Sequence, residues 1–442
     1  MTFETIAEFT LGETAIPDSA LDMAALLLMD TLGVAAGAAR LSAGEIARSH
    51  AVRFQSAAEP ADVATLLFDG RQASLTGACF ALATQIDNLD AHDGYNPTKG
   101  HIGCAVVPAL CAFAQAEPDL SARDALVALV ISYEVAARAA VALHTSVSDY
   151  HTSGAWNALG VAALGCRLRR QGPEVLRHAL GIAEYHGPRS QMMREIANPT
   201  MLHDGSGMGA LVGSMAVLLA QEGFTGAPAI TVEAAAPHWD DLGQDWTIER
   251  NYIKPYPVCR WAHAALDALA ELRARHQFQA ADVARVDVQS FAQAAALFAG
   301  LPSTTSQAQY SLPFALAVLL VHGEIGPEHI TAEGLADPDV AAALSKITVT
   351  QAQRHSERFP AGRWADVTVH LQDGRVLQSG DTHARGGPEA PMPLAEIEAK
   401  FHRMAAPLAP RRRAALWDMQ KRLRAPDARF CELLTLLYPP VC

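Results

Sequence analysis

WADVTVHLQDGRVLQSGDT, residues 364–382, has apolar and polar side chains in alternation around a central Asp-Gly pair. Alternation with a period of two is typical of a half-buried strand, and Asp-Gly is a hairpin turn signal. Valine also alternates with charged residues in ADVARVDVQSF (281–291), and KITVTQ (346–351) is a further strand candidate. Because helical patterns lie between these strands, residues 267–395 are predicted to form a smaller α+β domain.

The rest of the chain has the apolar spacing of helices. Apolar residues that recur every three to four positions, many of them Ala and Leu, predict helices at 17–36, 41–54, 121–143, 155–170, 175–185 and 208–220. Several of these are apolar on almost all sides, which is typical of helices inside a helical mass. We therefore predict a mainly α protein, with a large all-helical domain built from residues 1–266 and 396–442.

The composition is that of an ordinary globular protein. The chain has 442 residues, of which 50% are hydrophobic, so it can bury a large core. No uncharged apolar run reaches the roughly 18 residues of a membrane span. The acidic start MTFETIAEF lacks the basic region of an export signal. We expect a cytoplasmic protein without a membrane partner.

Charge and cysteine content exclude further classes of function. The net charge of −13 argues against nucleic acid or an anionic membrane as partner. An anionic substrate would therefore need cations concentrated in one pocket. The seven cysteines are scattered, odd in number and without CxxC spacing, so we expect reduced structural thiols at Cys79, Cys104, Cys111, Cys166, Cys259, Cys431 and Cys442.

One polar loop interrupts the helical part. DNLDAHDGYNPTKGHIG, residues 87–103, holds three aspartates, two histidines and a lysine between two apolar patterns. A polar loop held between buried helices is a place for chemistry rather than for packing. We interpret it as one wall of an active site.

Four further polar clusters accompany this loop. They are YHTSG at 150–154, NPTMLHDGSGMG at 198–209, NYIKPYPVCRWAH at 251–263 and HARGGPE at 383–389. The first lies just before a predicted helix, whose exposed amides favour an anion. The others carry His203 before a glycine-rich helix start, Lys254 and Arg260 around two prolines, and Arg385 in the last loop of the smaller domain.

Taken together, these motifs resemble the MmgE/PrpD family. They are DAHDGYNPTKGHIG, ISYEVAARAAVALH followed by YHTSGAWNALGVAA, LHDGSG, IKPYPVCRWAHAALDAL, AQYSLPFALAVLL, and QDGRV with ARGGPEAPM and KF. Single motifs are weak, but their order and spacing are similar over nearly the whole chain. The resemblance implies a large helical domain from both chain ends, a smaller α/β lid and a homodimer. It also implies activity as a 2-methylcitrate dehydratase, a cis-aconitate decarboxylase or an iminodisuccinate epimerase.

These three reactions share one requirement. Each creates or quenches negative charge on a carbon next to a carboxylate, which needs a base, a proton donor and cations for the carboxylates. No organic cofactor is obligatory for this chemistry, so we predict none. The resemblance implies that the site residues are Asp90, Asp93, His101, His151 and Lys254.

The chain also departs from the family pattern. It has His92-Asp93-Gly94 where the dehydratases and decarboxylases have Asp-Asp-Thr, and Thr200 and Met201 where they have a lysine. It has Cys259 where the decarboxylases have a histidine. The missing lysine removes a carboxylate anchor or proton donor, and this favours an epimerase over a lyase. A helical binding protein is the non-enzymatic alternative.

An epimerase without a cofactor needs two groups on opposite faces of the stereocentre. The candidates are His101 on one face and Lys254 or Tyr150 on the other. Lys254 would be a base only if burial or a cation such as Arg260 depressed its pKa. His151 and His203 would position the substrate, and the carboxylate anchors would be Lys99, Arg194, Arg260 and Arg385. The substrate that we favour is iminodisuccinate.

Some of these residues also have purely structural interpretations. Asp90 and Asp93 are equally suited to binding the amides of their own loop. His263 and Cys259 are expected to be packed core residues. A metal site at Asp90, His92, Asp93 and His101 is a further alternative, because carboxylate and imidazole suit Zn²⁺, Fe²⁺ or Mn²⁺. Their spacing fits no common metal motif, and we predict no metal.

Overall fold

The computed structural model describes residues 2–439, so the thiol predicted at Cys442 lies outside the described residues. The described chain is mainly α, which confirms that part of the predicted fold class. The α-helices are α1 Phe3–Leu11, α2 Asp18–Ala38, α3 Ser42–Phe54, α4 Leu75–Asp87, α5 Gly103–Ala114, α6 Ala122–Ser146, α7 Gly154–Leu168, α8 Pro173–His186, α9 Met192–Ala197, α10 Ser206–Gln221, α11 Ile230–Glu233, α12 His263–His276, α13 Ala292–Ala295, α14 Thr305–Gln309, α15 Leu312–His322, α16 Ala332–Leu335, α17 Pro338–Leu344, α18 Gln353–Ser356, α19 Leu394–Met404, α20 Pro410–Arg422 and α21 Phe430–Leu437.

Short 3₁₀ helices and strands complete the secondary structure. The 3₁₀ helices are Pro60–Asp62, Asn96–Thr98, Ala236–His238, Thr247–Arg250, Arg260–Ala262, Ala280–Asp282 and Pro327–Ile330. The strands are β1 Val63–Thr65, β2 Gln72–Ser74, β3 Val283–Ser290, β4 Ile347–Gln351, β5 Trp364–Leu371, β6 Val376–Gln378 and β7 Thr382–His383.

A mixed five-stranded sheet forms where alternation predicts it. Its order is β4-β3-β5-β6, with β7 also paired to β5. β3 and β4 are parallel, whereas β5 is antiparallel to β3, β6 and β7. Every second residue of β5 is buried, and the hairpin between β5 and β6 turns at Gly374 with a φ of 90°. The predicted strands at 281–291, 346–351 and 364–382 are therefore confirmed.

The predicted helices are also present, with ends that agree to within one turn. α15 shows how such a helix begins: the Ser311 side chain accepts from the amide of Phe314, and Pro313 occupies the first turn, where a missing N–H costs nothing. All residues of α5 are buried, as expected for a helix that is apolar on all sides. α4, α6, α7 and α10 pack around it or on one another.

The first 266 residues are not entirely helical, which corrects the all-helical prediction for this segment. β1 and β2 form a two-stranded antiparallel sheet with Val63 opposite Ser74. Each strand has three residues. A run that short has too few positions to reveal an alternating pattern.

Two helices, α2 and α6, are long and apolar enough to cross a membrane by length and composition. In the structure, 83% and 94% of their apolar windows are buried inside the protein. The search for uncharged apolar runs did not identify α2 and α6, because charged residues such as Asp30 and Glu134 interrupt them. Asp30 is buried in an ion pair with Lys400 on α19, at 2.6 Å from Nζ to Oδ2.

The C-terminal helices return to the N-terminal ones. α19 and α20 pack against α2, and the ring of Phe401 lies so close to Gly33 that a Cβ there would meet it at 2.6 Å. Lys400 also donates to the carbonyl of Ala91 at 2.7 Å, which connects α19 to the polar loop. The division into a helical domain and a lid remains a proposal that these contacts favour.

Candidate active site

The polar loop between α4 and α5 is buried and pairs with the segment that carries Lys254. The amide of Gly94 donates to the carbonyl of Tyr252 at 3.1 Å, and the amide of Tyr252 donates back at 2.8 Å. A Cβ on Gly94 would lie 2.3 Å from the Tyr252 hydroxyl, so only glycine permits this approach. Two separate motifs are thereby held in one place.

His101 is fixed by three contacts. Its Nδ1 lies 2.7 Å from the carbonyl of Asp93, and its backbone amide donates to the Ser153 hydroxyl at 3.0 Å. A carbonyl only accepts, so Nδ1 carries the proton and Nε2 of the neutral ring is unprotonated. Nε2 lies 3.9 Å from the Asp204 carboxylate. Burial lowers the pKa of His101 to about 4, so the ring is a neutral proton acceptor at physiological pH.

Lys254 is fully buried and forms an ion pair with Asp90. Its Nζ donates to the Asp90 side chain and, at 2.9 Å, to the Asp90 carbonyl. Burial by itself lowers the pKa of Lys254, but Asp90, followed by Tyr252 and Cys259, raises it above its ordinary value. The condition for Lys254 to act as a base is therefore not met. It is an ammonium ion that can donate a proton or bind a carboxylate.

Tyr150 is the other candidate for the second face. Its hydroxyl donates to the carbonyl of Lys99, and burial raises its pKa well above the ordinary value. The phenol is therefore neutral and is a proton donor rather than a base. The Nζ of Lys99 lies 6.0 Å from the centre of the Tyr150 ring.

These side chains surround one cavity. Of the predicted site residues, Asp90, Lys99, His101, Tyr150, Lys254 and Arg260 line it. The other lining residues are Met192, Ile196, Asp204, Tyr252, Cys259, Trp261, Tyr310 and Arg363. Burial raises the pKa of Cys259 to about 12, so this residue is a thiol and not a nucleophile.

The remaining predicted site residues lie outside this lining. Asp93 accepts from the Tyr133 hydroxyl at 3.1 Å, and burial raises its pKa to about 7. Its Oδ1 lies against Gly103 at the start of α5, where a Cβ would meet it at 2.1 Å. His203 is buried behind Tyr310, with ring centroids 5.5 Å apart, and burial lowers its pKa to about 3.

The last three predicted residues are also absent from the cavity lining. The amide of His151 donates to Nε2 of His144 at 3.2 Å. Arg194 is exposed, and its Nη1 lies 3.5 Å from the Ser190 hydroxyl. Arg385 pairs with Asp267 at 3.0 Å and with Glu396 at 2.6 Å, so its side chain is not free for a carboxylate in the cavity. His263, predicted as a packed residue, is fully buried.

Sequence reasoning missed two charged residues of the cavity. Asp204 follows the quoted His203, and its Oδ1 accepts from the Ser153 hydroxyl at 2.6 Å. Arg363 precedes β5 and lies in no recognisable motif. It is 3% exposed, and its Nη1 donates to the carbonyl of Pro360. The only available signal was its position beside a buried strand, which does not by itself mark a site.

The geometry brings together part of the alternative metal set. Donor atoms of Asp90, His92 and His101 lie within 4.8 Å of one another, as do those of Asp87, His92 and Cys104. Both ring nitrogens of His92 are buried without a hydrogen-bond partner among the described residues. However, Asp90 is already paired with the Lys254 ammonium, whose charge opposes a nearby metal cation. We keep the absence of a metal as a prediction.

The cavity concentrates positive charge in an acidic protein. Lys99, Lys254, Arg260 and Arg363 line it, together with only Asp90 and Asp204 as carboxylates. Burial lowers the pKa of Arg260 to about 10, which leaves its guanidinium charged at neutral pH. The arrangement can bind a small anion, remove a proton with a neutral imidazole and donate one from an ammonium or a phenol.

Comparison with known families gives two matches. The MmgE/PrpD N-terminal domain model matches residues 4–236, and the MmgE/PrpD C-terminal domain model matches residues 256–424. His101 and Tyr150 fall in the first match, and Arg260 and Arg363 fall in the second. Lys254 lies in the short segment between them. No curated protein matches the chain.

Proposed function

This chain belongs to the MmgE/PrpD family of enzymes, and we propose that it is an epimerase of a small polycarboxylic acid that works without a cofactor. The substrate that we propose is iminodisuccinate. The observation that carries the proposal is a neutral imidazole whose Nδ1 is fixed on a carbonyl, beside a cavity rich in cations. The homodimer and the cytoplasmic location remain predictions.

The proposed reaction begins with proton removal by His101. Nε2 takes the proton from a carbon next to a carboxylate, and the electron pair of the broken C–H bond moves onto that carboxylate. The cations of the cavity stabilise the resulting dianionic carboxylate. A proton donor on the opposite face, Lys254 or Tyr150, then gives a proton to the same carbon and inverts it.

The charge states of the two groups define the resting enzyme. His101 is neutral and Lys254 is protonated, because their pKa values are displaced in opposite directions. After one inversion with Lys254 as donor, the proton is on His101 and Lys254 is neutral. That state is ready for the reverse reaction, or it returns to the resting state by proton exchange with water.

A lyase is the second candidate, and the same fixed roles favour it. A neutral base and a charged acid also suit an elimination, in which the base takes the C–H proton and the acid protonates the leaving hydroxyl. Thr200 and Met201, at the position of the family lysine, are both exposed and outside the cavity lining. This supports the epimerase, since no lysine side chain is supplied from that position.

Deuterium exchange tests both candidates. The protein is incubated in D₂O with single stereoisomers of iminodisuccinate, 2-methylcitrate and cis-aconitate, and the products are followed by NMR and mass spectrometry. We expect deuterium at an inverted carbon with the skeleton retained. Loss of water or CO₂ would establish the lyase instead. Absence of any label and any product with all three compounds would contradict both.

A further inference from the structure

Two arginines in the cavity wall are buried without a counter-charge. Arg260 is 5% exposed and Arg363 is 3% exposed. The Nε of each is buried and has no hydrogen-bond partner among residues 2–439. Burial lowers the pKa of both, because the charged form is deprived of water.

The contacts that these side chains do make are with neutral groups. Arg260 donates to the carbonyls of Ala384, at 3.0 Å, and Arg385, and Nη1 lies 3.4 Å from Nδ1 of His263. Arg363 donates to the carbonyl of Pro360. The carboxylates that act on Arg260 at longer range are Asp267, which is paired with Arg385, and the exposed Glu389.

One short segment contacts both arginines. The carbonyl of Ala384 accepts from Arg260, and the amide of Ala384 donates to the carbonyl of Arg363 at 3.0 Å. The segment is itself fixed, because the amide of Ile253 donates to Gly386 at 2.9 Å and a Cβ on Gly386 would lie 2.0 Å from the Ile253 carbonyl. The ion pairs of Arg385 hold the same backbone.

Such a pair is unfavourable unless an anion joins it. A buried charge without an ion-pair partner costs several kcal/mol, and the like charge of Arg363 also opposes the charge of Arg260. A guanidinium presents a planar fork of donors that matches a carboxylate. Lys254 differs in this respect, since it is already neutralised by Asp90.

We infer that Arg260 and Arg363 form a clamp that binds two carboxylates of one small polycarboxylate ligand, and that Arg363 determines specificity for ligands with at least two carboxylates. The inference rests on the proposed function and narrows its substrate class. Lys99, which also lines the cavity and has no ion pair among residues 2–439, is the site for a third carboxylate. A monocarboxylate would leave one guanidinium unpaired.

Binding of stable probes tests the clamp without any turnover. Dissociation constants of tricarballylate, succinate and acetate are measured by calorimetry at constant ionic strength, for the wild type, Arg363→Gln, Arg363→Lys and Arg375→Gln. Arg375 is the matched control, because it lies in the exposed turn between β5 and β6. We expect Arg363→Gln to weaken tricarballylate binding about 10-fold to 100-fold, as for loss of charged hydrogen bonds. The dissociation constant of Arg363→Lys for tricarballylate should lie between those of the wild type and Arg363→Gln. Arg375→Gln should bind tricarballylate like the wild type.

The melting temperature without ligand separates this role from a structural one. We expect Arg363→Gln to melt at or above the wild-type temperature, because it removes an unpaired buried charge. The stabilisation that tricarballylate gives to the wild type should be lost in this variant. Equal binding of tricarballylate to both proteins would overturn the clamp. Binding of acetate as tight as that of tricarballylate, or a large fall in the ligand-free melting temperature of Arg363→Gln, would also overturn it.

The binding test of the clamp and the deuterium-exchange test of the epimerase can fail independently of each other. If wild-type protein binds tricarballylate through Arg363 but gives no deuterium exchange, the clamp stands and the epimerase proposal fails. If exchange and inversion occur while Arg363→Gln binds like the wild type, the epimerase proposal stands and the clamp fails.

Discussion

The two walls of the cavity differ in whether their charged side chains have a counter-ion. On the wall formed by the 87–103 loop and its partner segment, the imidazole and the ammonium of the proposed proton transfer each have a fixed partner: Lys254 has Asp90, and His101 has the Asp93 carbonyl. On the other wall, Arg260 and Arg363 are buried beside neutral groups. The difference suggests a division of labour, in which the first wall sets protonation states and the second binds the charge of the ligand.

The largest effect is expected on the first wall, from His101→Gln. Removal of a general base typically lowers the rate about 10²-fold to 10⁴-fold. Because His101 removes the proton on one face and only returns it on the other, proton removal should be suppressed far more from one stereoisomer than from the other. Initial deuterium exchange rates of the two stereoisomers measure this. His50→Gln, a change at an exposed histidine, is the control and should exchange like the wild type.

Equal loss of exchange from both stereoisomers would contradict a role for His101 on one face only. No loss at all would remove His101 from the mechanism.

The next effect concerns stability and separates the walls directly. Asp90→Asn leaves the buried Lys254 ammonium without its counter-ion, which should lower the free energy of unfolding by about 3–5 kcal/mol. Denaturant titration measures it, with Asp373→Asn in an exposed ion pair as control and an expected change below about 1 kcal/mol. The double variant Asp90→Asn with Lys254→Met should recover part of the loss. A single variant as stable as the wild type would show that this wall does not depend on the pair.

The third effect is a displaced titration of His101. Its folded pKa of about 4 lies below the ordinary value of about 6.5, so the ring should stay neutral as the pH falls from 8 to 5 and become protonated only near pH 4. NMR of ¹³C-labelled histidine, assigned with His101→Gln, measures this directly. Because the unfolded state takes up this proton at higher pH, His101 should reduce stability as the pH falls from about 6.5 to 4. A midpoint near 6.5 would contradict the buried environment.

The smallest effects are expected on KM, when each arginine predicted from the sequence is replaced by alanine. Arg260→Ala should raise KM about 10-fold or more, because its guanidinium lines the cavity. Arg385→Ala should raise KM less, because its side chain acts only by holding the backbone that binds Arg260. Arg194→Ala, at an exposed position, should leave KM unchanged. Steady-state kinetics with the epimerisation substrate give this order, and a reversed order would show that the second wall is misassigned.

Much of the fold follows from local pattern. Helix ends and the strands of the five-stranded sheet follow from apolar spacing, because those elements are long enough for burial on one or more faces to leave a period. β1 and β2 are too short for that. The span-like character of α2 and α6 was missed because charged residues such as Asp30, which pairs with Lys400 in the folded protein, interrupt their apolar runs.

The site was predictable only in part, because a sequence shows which residues are present and not where they point. The motif that contains Arg385 contacts the cavity residue Arg260 through its backbone carbonyls, and the Arg385 side chain pairs elsewhere. Lys254 was identified, yet its raised pKa depends on Asp90, which lies 164 residues away in the chain. Arg363 had no motif, since a single arginine before a strand looks the same whether it is buried or exposed.

In the proposed reaction two groups on opposite faces of the substrate exchange its proton, and the first turnover in D₂O distinguishes this from exchange by a single base. A single stereoisomer of iminodisuccinate is converted to low extent, and deuterium is measured separately in the product and in the recovered substrate. We predict one deuterium at the inverted carbon of the product and almost none in the recovered substrate, because the proton that returns comes from the opposite face. Equal deuterium in both would indicate a single base and contradict the account, as would inversion without any incorporation of deuterium.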